Sequence, residues 1–360
     1  MIGEEMTFEE LKEQAKNLSL TPGVYLMKDR EGYVIYVGKS KHLKNRVSSY
    51  FGSLKHVKPR IKRMVAAIDT FECKYTDTEL DALILECVLI KQYKPLYNRL
   101  LKNEKKYRYI HVGIEESLGS VTAVYEKGNT GLYFGPYDQS ADLLTAVEAL
   151  RNYFGLPSCK QGEGVEGCLT YKLKRCVGPC QDSNREEHQK ALKSLVLFLE
   201  GENQLPLVFY ETAMKEASEQ LDFNKAIIYR QNWYALKRLG YRQEAIALSL
   251  AQTRGMAVLP CPKGGCKLYL LKGTTILQSF YWNIEDRNQL LKNFIEQGNS
   301  YLSKPFKKSY DLDKTKIDQS LIIYSYLMNQ QVAFYETIED RRAIEKVSNR
   351  LLKAYLSQRE

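Results

Sequence analysis

The sequence predicts an α+β protein with four parts: a small antiparallel sheet flanked by helices, a cysteine-rich region, a helical region and a C-terminal α/β region. Two strand patterns joined by turn residues lie near the N-terminus, four cysteines crowd into 22 residues, and two adjacent helical patterns follow them. We expect the boundaries of these parts at residues 1–105, 106–182, 183–243 and 244–360.

Composition narrows the class of protein. The 360 residues are 44% hydrophobic and carry a formal net charge of +10, which favours a polyanionic partner. No apolar run approaches the ~20 residues of a membrane span, and the acidic N-terminus has no signal-peptide features. We therefore expect a cytoplasmic protein without membrane association. Eight cysteines in such a chain favour metal binding over disulfides.

A strand hairpin dominates the first part. Residues 23–25 (GVY) and 36–38 (YVG) alternate large apolar or aromatic residues with small ones, and residues 29–32 between them are turn formers. A basic helix is predicted from Lys39 to Tyr50. The segment Lys39–Arg63 contains nine Lys or Arg and no Asp or Glu, which is typical of a surface that binds phosphate.

Local signals predict the other elements of this part. A capping box at Thr7 begins a short helix, and a helix followed by a strand is expected over residues 58–76. A second capping box, Thr76 with Glu79, begins a longer helix that Pro95 ends.

This longer helix carries one charge within an apolar stretch. Between Ala82 and Ile90 the charged residue is Glu86, and Leu83, three positions earlier, shares its face. Burying an unpaired carboxylate is costly. Two interpretations follow: a salt bridge to an arginine of a neighbouring element, or a ligand to a divalent metal ion.

Four cysteines follow a predicted β connector and amphipathic helix at residues 106–156. Their spacings of eight, seven and three intervening residues lack the paired C-x2-C pattern of structural zinc sites. Irregular sets with Gly and Pro nearby suit an iron–sulfur cluster better, with zinc or four reduced core cysteines as alternatives. The four are Cys159, Cys168, Cys176 and Cys180.

Helices resume after the cysteines. Residues 206–241 predict a helical pair that begins after a break at Pro206. From about residue 245 the pattern changes to strands and then to helices.

The motifs together resemble the GIY-YIG nuclease family. GVY, ten residues and YVG are followed by Lys39, Arg46 and the helical Glu86. Within the family the sequence is similar to the first half of UvrC, the incision subunit of bacterial nucleotide excision repair, and to its short Cho-like form. The segments KPLYN, YFGPY and CLTYKLKRCVGPC carry this likeness, which extends to about residue 240.

The resemblance implies an endonuclease whose Glu86 holds a single Mg²⁺ or Mn²⁺ ion. Arg46 would stabilise the charge of the transition state, and Tyr25 would activate or position the attacking water with help from Lys39. The implied catalytic residues are Tyr25, Tyr36, Lys39, Arg46, Tyr50 and Asn98. The basic residues expected to bind DNA are Lys41, Lys44, Lys55, Lys58, Arg60, Lys62 and Arg63.

The resemblance also implies a 4Fe-4S cluster on the four cysteines and a UvrB-like protein partner. The helical pair is similar to the UVR hairpin that engages UvrB, although Asn224 and Gln231 depart from the usual sequence of that hairpin. Two helices that pack their apolar stripes on each other would explain all of this pattern except the likeness. The residues expected to contact the partner are Met214, Leu221, Phe223 and Arg230.

The expected function is one metal-dependent incision, 3′ to a lesion, in damaged or distorted double-stranded DNA during nucleotide excision repair. One alternative is an inactive UvrC-like adaptor that binds DNA or UvrB, and another is a GIY-YIG nuclease acting outside repair. No ribonuclease-H-type metal site or helix-hairpin-helix motif is found after residue 244. One interpretation of that region is a remnant of a ribonuclease-H-like domain.

Overall fold

The chain forms two compact units, one made of Met1–Glu104 with Leu248–Glu360 and the other of Lys105–Ala247. The predicted N-terminal and C-terminal parts therefore share a unit. Lys55 and Cys159 lie outside the described residues. The computed structural model describes residues 7–52, 58–99, 101, 107–114, 118–137, 141–157, 168–180, 182–251, 253–283, 285–303, 316–328 and 334–357.

The N-terminal part of the first unit is a three-stranded antiparallel sheet with helices on both faces. Its elements are α1 (Phe8–Lys16), β1 (Gly23–Lys28), β2 (Val34–Ser40), α2 (Leu43–Ser48), a 3-10 turn (Ser49–Phe51), α3 (Pro59–Ala66), β3 (Thr70–Tyr75) and α4 (Glu79–Tyr93). The strand order is β2-β1-β3, so β1 is central. The expected hairpin and its flanking helices are confirmed.

Strand β1 is buried on both faces because alternate side chains point to opposite sides. Tyr25 and Met27 join a core with α1, α2 and α3. Val24 and Leu26 pack instead with apolar residues of α4. The sheet thus sits between the basic helices and the helix that carries Glu86.

Two predictions about this sheet and helix need correction. The basic helix does not begin at Lys39, because β2 continues to Ser40 by pairing with β1, and α2 begins at Leu43. The capping box of α4 is Thr78 with Asp81. The backbone N–H of Thr76 instead donates to the carbonyl of Pro22, ahead of the helix.

The C-terminal part of the same unit is a four-stranded antiparallel sheet with helices. Its elements are β7 (Arg254–Pro260), β8 (Cys266–Lys272), β9 (Thr275–Trp282), α10 (Arg287–Ser303), α11 (Ile317–Leu327), β10 (Phe334–Thr337) and α12 (Arg341–Ser357). The strand order is β10-β7-β8-β9. Met256 and Leu268 face α10 and α12. Ala257 and Tyr269 face the opposite way, toward α4 and α11.

The second unit contains the β connector and the helical region. Its elements are β4 (Arg108–Val112), β5 (Val121–Val124), β6 (Leu132–Tyr137), α5 (Ala141–Phe154), α6 (Leu169–Lys172), a 3-10 turn (Asp182–Asn184), α7 (Arg185–Glu200), α8 (Leu205–Glu219) and α9 (Phe223–Ala251). The strand order is β5-β4-β6. Residues 245–251, expected to begin a strand, continue α9. Across the described ranges, no helix combines the length and the apolar character that crossing a lipid bilayer requires.

Candidate active site

Close backbone approach explains both glycines of the hairpin motif. Gly38 lies opposite Tyr25 in the β1–β2 register, and a Cβ atom at Gly38 would stand 2.3 Å from the Tyr25 hydroxyl oxygen. A Cβ atom at Gly23 would stand 2.4 Å from the Lys74 carbonyl oxygen and 2.6 Å from Leu43 Cδ1. Only glycine therefore lets the Tyr25 ring lie across β2 while β3 and α2 close over β1.

Three tyrosines and an arginine form one cluster. The ring centroids of Tyr25, Tyr36 and Tyr50 lie 5.8 to 6.4 Å apart. The hydroxyl oxygens of Tyr25 and Tyr50 are 2.8 Å apart, and Arg46 Nε donates to the Tyr25 hydroxyl at 3.3 Å. The Arg46 guanidinium also lies 5.1 Å from the centre of the Tyr50 ring, within cation–π range.

Burial keeps two of these phenols neutral. Desolvation raises the pKa of Tyr25 well above its usual value, and it raises the pKa of Tyr50 to about 12. Both hydroxyls are therefore protonated at neutral pH. They can orient a water or a phosphate oxygen by hydrogen bonding, but neither is a ready-made tyrosinate base.

Glu86 lies on the face of α4 that looks toward the end of β2. The backbone N–H of Lys39 donates to Glu86 Oε1 at 2.9 Å. Burial raises the pKa of Glu86, while this N–H and the charges of Lys39 and Arg46 act in the opposite direction. Within the described ranges no arginine or lysine side chain forms an ion pair with it, so the salt-bridge interpretation is not met there.

A cavity of about 460 Å³ brings most predicted catalytic residues together. It is lined by Tyr36, Arg46, Tyr50, Lys58, Arg60, Ile61, Met64, Glu86, Ile90, Tyr97, Asn98, Arg99 and Leu101. The lining contains one carboxylate and several cationic side chains, which suits a phosphate group with a bound cation. Arg99, which sequence reasoning missed, is exposed at this cavity.

Asn98 acts on the backbone of β2. Its side-chain oxygen accepts from the Val37 N–H at 2.9 Å, and its side-chain nitrogen donates to the Val37 carbonyl at 2.8 Å. Asn98 is buried. Because both polar atoms are used in this way, its contribution is to fix the edge of β2 next to Tyr36.

Lys39 and Lys41 are held by a carboxylate that sequence reasoning missed as a site residue. Lys39 Nζ lies 2.7 Å from Glu79 Oε1, and Lys41 Nζ lies 2.9 Å from Glu79 Oε2. Glu79 precedes Glu86 by seven positions and so shares its face of α4. This seven-residue spacing from Glu86 was the signal in the sequence that could have identified Glu79 as a site residue. Lys39 pairs with Val24 in the β1–β2 register, so its side chain points to the face of the sheet opposite to that of Tyr25.

The other predicted DNA-binding residues divide into two groups. Arg60 Nη2 donates to the carbonyl of Tyr97 at 2.9 Å, so it stabilises the chain after α4. Lys44 is half-buried. The side chains exposed to solvent and able to meet phosphates are Lys58, Lys62 and Arg63.

The cysteines are not assembled into a metal set among the described residues. Within those residues, no group of three or more His, Cys, Asp or Glu is placed to hold a metal ion. Cys176 is buried, and its Sγ accepts the N–H of Gly178 at 3.3 Å. Backbone N–H groups, that of Tyr171 first, lower the pKa of the Cys168 thiol. The cluster on Cys159, Cys168, Cys176 and Cys180 stays a prediction.

The turn of the helical hairpin exposes large apolar side chains. Leu221 is 71% exposed and Phe223 is 60% exposed, while Met214 is half-buried. Phe223, Ile227 and Arg230 have the spacing of one helix face, and all three are exposed. The packing of α8 on α9 therefore does not explain why a large apolar side chain stands at position 223.

Comparison with known families identifies two domains. Residues 21–99 match the model of the UvrC-like GIY-YIG domain. Residues 107–198 match the model of the UvrC/Cho excinuclease middle domain. The resemblance drawn from the sequence is confirmed for these two segments.

Curated relatives extend this likeness beyond the two domains. The UvrABC system protein C of Acetivibrio thermocellus is 32% identical over 336 residues, which are 89% of this chain and 53% of that protein. The one from Alkaliphilus metalliredigens is 34% identical over 304 residues, which are 80% of this chain and 49% of that protein. The chain thus spans about half the length of the curated relatives it matches.

Solved structures give a likeness that covers one domain. The crystallised GIY-YIG N-terminal endonuclease domain of UvrC from Thermotoga maritima, bound to its catalytic divalent cation magnesium, is 36% identical to this chain. The match covers 26% of this chain and 100% of that chain, with a TM-score of 0.24.

Replacing Glu79 by Gln should lower stability in a pH-dependent way. Burial opposes ionisation of Glu79, but the hydrogen bonds from Lys39 and Lys41 outweigh it and lower the pKa of Glu79 below its usual 4.5. The ionised form therefore stabilises the fold above the unfolded-state pKa, and this stabilisation disappears as pH falls through the folded-state pKa. Urea unfolding should show a loss of about 1 kcal/mol at pH 7.

The loss should shrink as pH is lowered below 4.5, the usual pKa of the carboxyl. Glu31→Gln, a change in the exposed β1–β2 turn, is the matched control and should have little effect at any pH. A Glu79→Gln loss that is independent of pH would show that shape matters there and charge does not.

Proposed function

Because residues 21–99 are a UvrC-like GIY-YIG domain followed by a UvrC/Cho middle domain, we propose that this chain is an endonuclease that hydrolyses one phosphodiester bond of DNA. The observation that carries the proposal is the cavity in which one half-buried carboxylate, Glu86, shares its walls with Arg46 and Tyr50. This set combines a cation ligand, a phosphate ligand and a hydrogen-bonding hydroxyl, as phosphodiester hydrolysis requires.

Glu86 is the residue that would hold the metal ion. Its carboxylate is desolvated, has no cationic side chain paired to it among the described residues, and is anchored by one backbone N–H. Oxygen donors of this kind suit Mg²⁺ or Mn²⁺. Two-metal sites need bridging carboxylates, and the described cavity lining contains one, which favours a single ion. When bound, the ion would supply charge stabilisation at the scissile phosphate.

Arg46 is the residue that would hold the scissile phosphate. Its Nε is used on the Tyr25 hydroxyl, and the side chain is otherwise exposed toward the cavity. The two terminal nitrogens of a guanidinium match two phosphate oxygens, so Arg46 can stabilise the extra negative charge of the transition state. Its contact with Tyr25 fixes the direction of the guanidinium plane.

Tyr25 is buried and is not among the residues that line the cavity, so it would position the attacking water through Arg46 and Tyr50, which do line it. Its neutral phenol is anchored by Tyr50 and Arg46, so its remaining hydrogen-bonding capacity is directionally fixed. The high pKa of Tyr25 means that it is a weak source of negative charge at neutral pH. Lys39, held at Glu79, contributes positive potential at the rim of the site.

DNA binding is assigned to the exposed basic residues around this cavity. Lys58, Lys62, Arg63 and Arg99 are exposed, and Lys58 and Arg99 line the cavity itself. Such side chains bind phosphates with little dependence on base sequence. Selection of damaged or distorted duplex therefore has to come from a protein partner, for which we propose a UvrB-like protein.

We place the reaction in nucleotide excision repair, as one incision 3′ to the lesion. The relatives are named as UvrABC system proteins, and the matched half includes the domain that the resemblance associates with this side. Convergence of Tyr36, Arg46, Tyr50 and Glu86 on one cavity disfavours an inactive adaptor. The match to the middle domain disfavours a nuclease outside repair.

Glu86→Gln should abolish incision. The amide keeps the shape and can still accept the Lys39 N–H, but it binds a divalent cation far more weakly, so the rate should fall more than about 100-fold. The assay is nicking of a duplex with a single lesion in the presence of UvrB, with Mg²⁺, Mn²⁺ or EDTA. Sequencing-gel mapping then locates the cut.

Glu72→Gln is the control, because Glu72 is an exposed carboxylate on β3 that pairs with Lys28. It should cut normally. A folded Glu86→Gln protein that still cuts would move the site elsewhere, and incision 5′ to the lesion would overturn the assigned side.

We propose a 4Fe-4S cluster as the ligand of the four cysteines, with one Zn²⁺ as the alternative. The described cysteines do not form the ligand set by themselves, so the proposal is supported by the motif and by two thiols that already accept backbone N–H groups. Such N–H···S contacts stabilise thiolate ligands.

Protein purified without oxygen should be brown and carry about four irons and four sulfides per chain. Cys176→Ser should lose the colour, while Cys73→Ser, on β3 of the other unit, should keep it. Metal analysis and visible absorption measure both. A colourless protein with one zinc would support the alternative. A fully folded protein without any metal would show that the four cysteines do not form a metal site.

We propose that the exposed face of α9 made by Phe223, Ile227 and Arg230 docks the UvrB-like partner. Phe223→Ala should reduce UvrB-dependent incision by at least about tenfold, since buried aromatic anchors dominate protein interfaces. Because Phe223 is exposed in this chain, Phe223→Ala should change the melting temperature little. Nicking of naked DNA without UvrB should be unchanged.

Ile228→Ala is the matched control, because Ile228 is an exposed apolar residue about 140° around the helix from Phe223. It should retain UvrB-dependent incision. The proposed docking face would be wrong if Phe223→Ala lowered UvrB-dependent incision and nicking of naked DNA equally. It would also be wrong if Ile228→Ala lowered UvrB-dependent incision as much as Phe223→Ala does.

A further inference from the structure

The start of α4 is tied to the C-terminal sheet of the same unit. The hydroxyls of Tyr269, on β8, and Thr78, the capping residue of α4, lie 2.6 Å apart. Tyr269 also donates to Asp81 Oδ1 at 3.1 Å. Thr78 and Asp81 form the capping box, so a side chain 191 residues beyond Thr78 completes the hydrogen bonding of the helix start.

A lysine on the same face of β8 reinforces this junction. Lys267 Nζ lies 2.7 Å from Asp77 Oδ2 and 3.1 Å from Asp81 Oδ2. Tyr269 is buried. Hydrogen bonds among buried or half-buried polar groups are costly to break when one partner is removed. The helix start is thus held by both a neutral and a charged contact.

The rest of α4 is also covered by the C-terminal part. The helix is apolar on two sides: Ala82, Leu89 and Ile90 face the N-terminal sheet, while Leu80 and Ile84 pack with residues of β7, β8 and α11. A helix apolar around most of its circumference needs partners on both sides.

A salt bridge fixes the far end of α4. Lys91 Nζ lies 2.9 Å from Asp318 Oδ2, and the two side chains are only 13% and 14% exposed. The C-terminal part therefore contacts α4 before and after Glu86.

We propose that Tyr269 is a positioning residue for the nuclease site: by fixing Thr78 and Asp81 it sets the placement of α4, and with it the carboxylate of Glu86. The function of residues 248–360 in this chain would then be to hold α4, the helix that carries Glu86, in position. The proposal rests on the proposed nuclease function. Glu86 lies about two turns after the capping box on one continuous helix, so a displacement of the helix start is transmitted to it.

Tyr269→Phe tests this with minimal change of packing. At saturating DNA the incision rate should fall about tenfold, because small displacements of catalytic groups are costly. The Mn²⁺ concentration for half-maximal activity should rise several-fold. The KM for DNA should stay unchanged, because the phosphate-binding side chains lie on other elements.

Tyr301→Phe is the matched control. Tyr301 is buried like Tyr269, and its hydroxyl donates to the carbonyl of Leu271 on the opposite side of the same sheet, away from α4. Each variant loses one buried tyrosine hydroxyl. Tyr301→Phe should lower the melting temperature to a similar extent while keeping incision and Mn²⁺ dependence within about twofold.

Hydrogen exchange provides a readout that does not depend on activity. The amides of the first two turns of α4 should exchange faster in Tyr269→Phe and at the wild-type rate in Tyr301→Phe. If the wild-type protein cuts no DNA, the nuclease proposal fails while this measurement still tests the coupling to α4. Equal exchange of α4 in both variants, or incision lost equally in both, would overturn the positioning role.

Discussion

Partial burial of the Glu86 carboxylate is the constraint on which the arrangement of the candidate site depends. A charge in apolar surroundings is unfavourable, and the raised pKa of Glu86 records that cost. The backbone N–H of Lys39 and the nearby charge of Arg46 reduce it without forming an ion pair that would occupy the carboxylate. The remaining demand for positive charge is what makes this site suited to a divalent cation.

Two carboxylates on one face of α4 show how environment separates their chemistry. Glu79 is paired with two ammonium groups and its pKa is lowered, whereas Glu86 has no ammonium partner among the described residues and its pKa is raised. The first carboxylate is held by its ion pairs, and the second is not. A similar separation of neighbouring carboxylates underlies many hydrolytic active sites.

Local patterns were enough to predict the hairpin and the existence of α4, which follow from strand alternation, turn residues and an apolar helical stretch. The convergence of Tyr36, Arg46 and Glu86 was expected from the resemblance to the GIY-YIG family. The errors at Lys39 and Thr76 have one physical cause. Pairing with β1 and a hydrogen bond to Pro22 extend these segments beyond what their own sequence favours.

What the sequence could not predict depends on contacts between distant segments. The partnership of Glu79 with two lysines required the register of β2 against α4, and the contacts of Tyr269 with Thr78 cross most of the chain. Strands β7 and β8 are nearly continuous apolar runs, which predict a sheet covered on both faces but not what covers it. The contacts of this sheet with α4 could be found only in the folded structure.

The order in which the chain is synthesised gives the α4 junction a consequence for folding. Tyr269 leaves the ribosome 191 residues after Thr78, which at elongation rates of about 5–20 residues per second is a delay of roughly 10–40 s. During that interval Leu80 and Ile84 lack the partners they have in the finished protein. The first unit therefore has a high contact order at α4, which gains these partners only after β8 and α11 have been synthesised. A nascent chain paused before β7 presents an apolar stripe of the kind that chaperones bind.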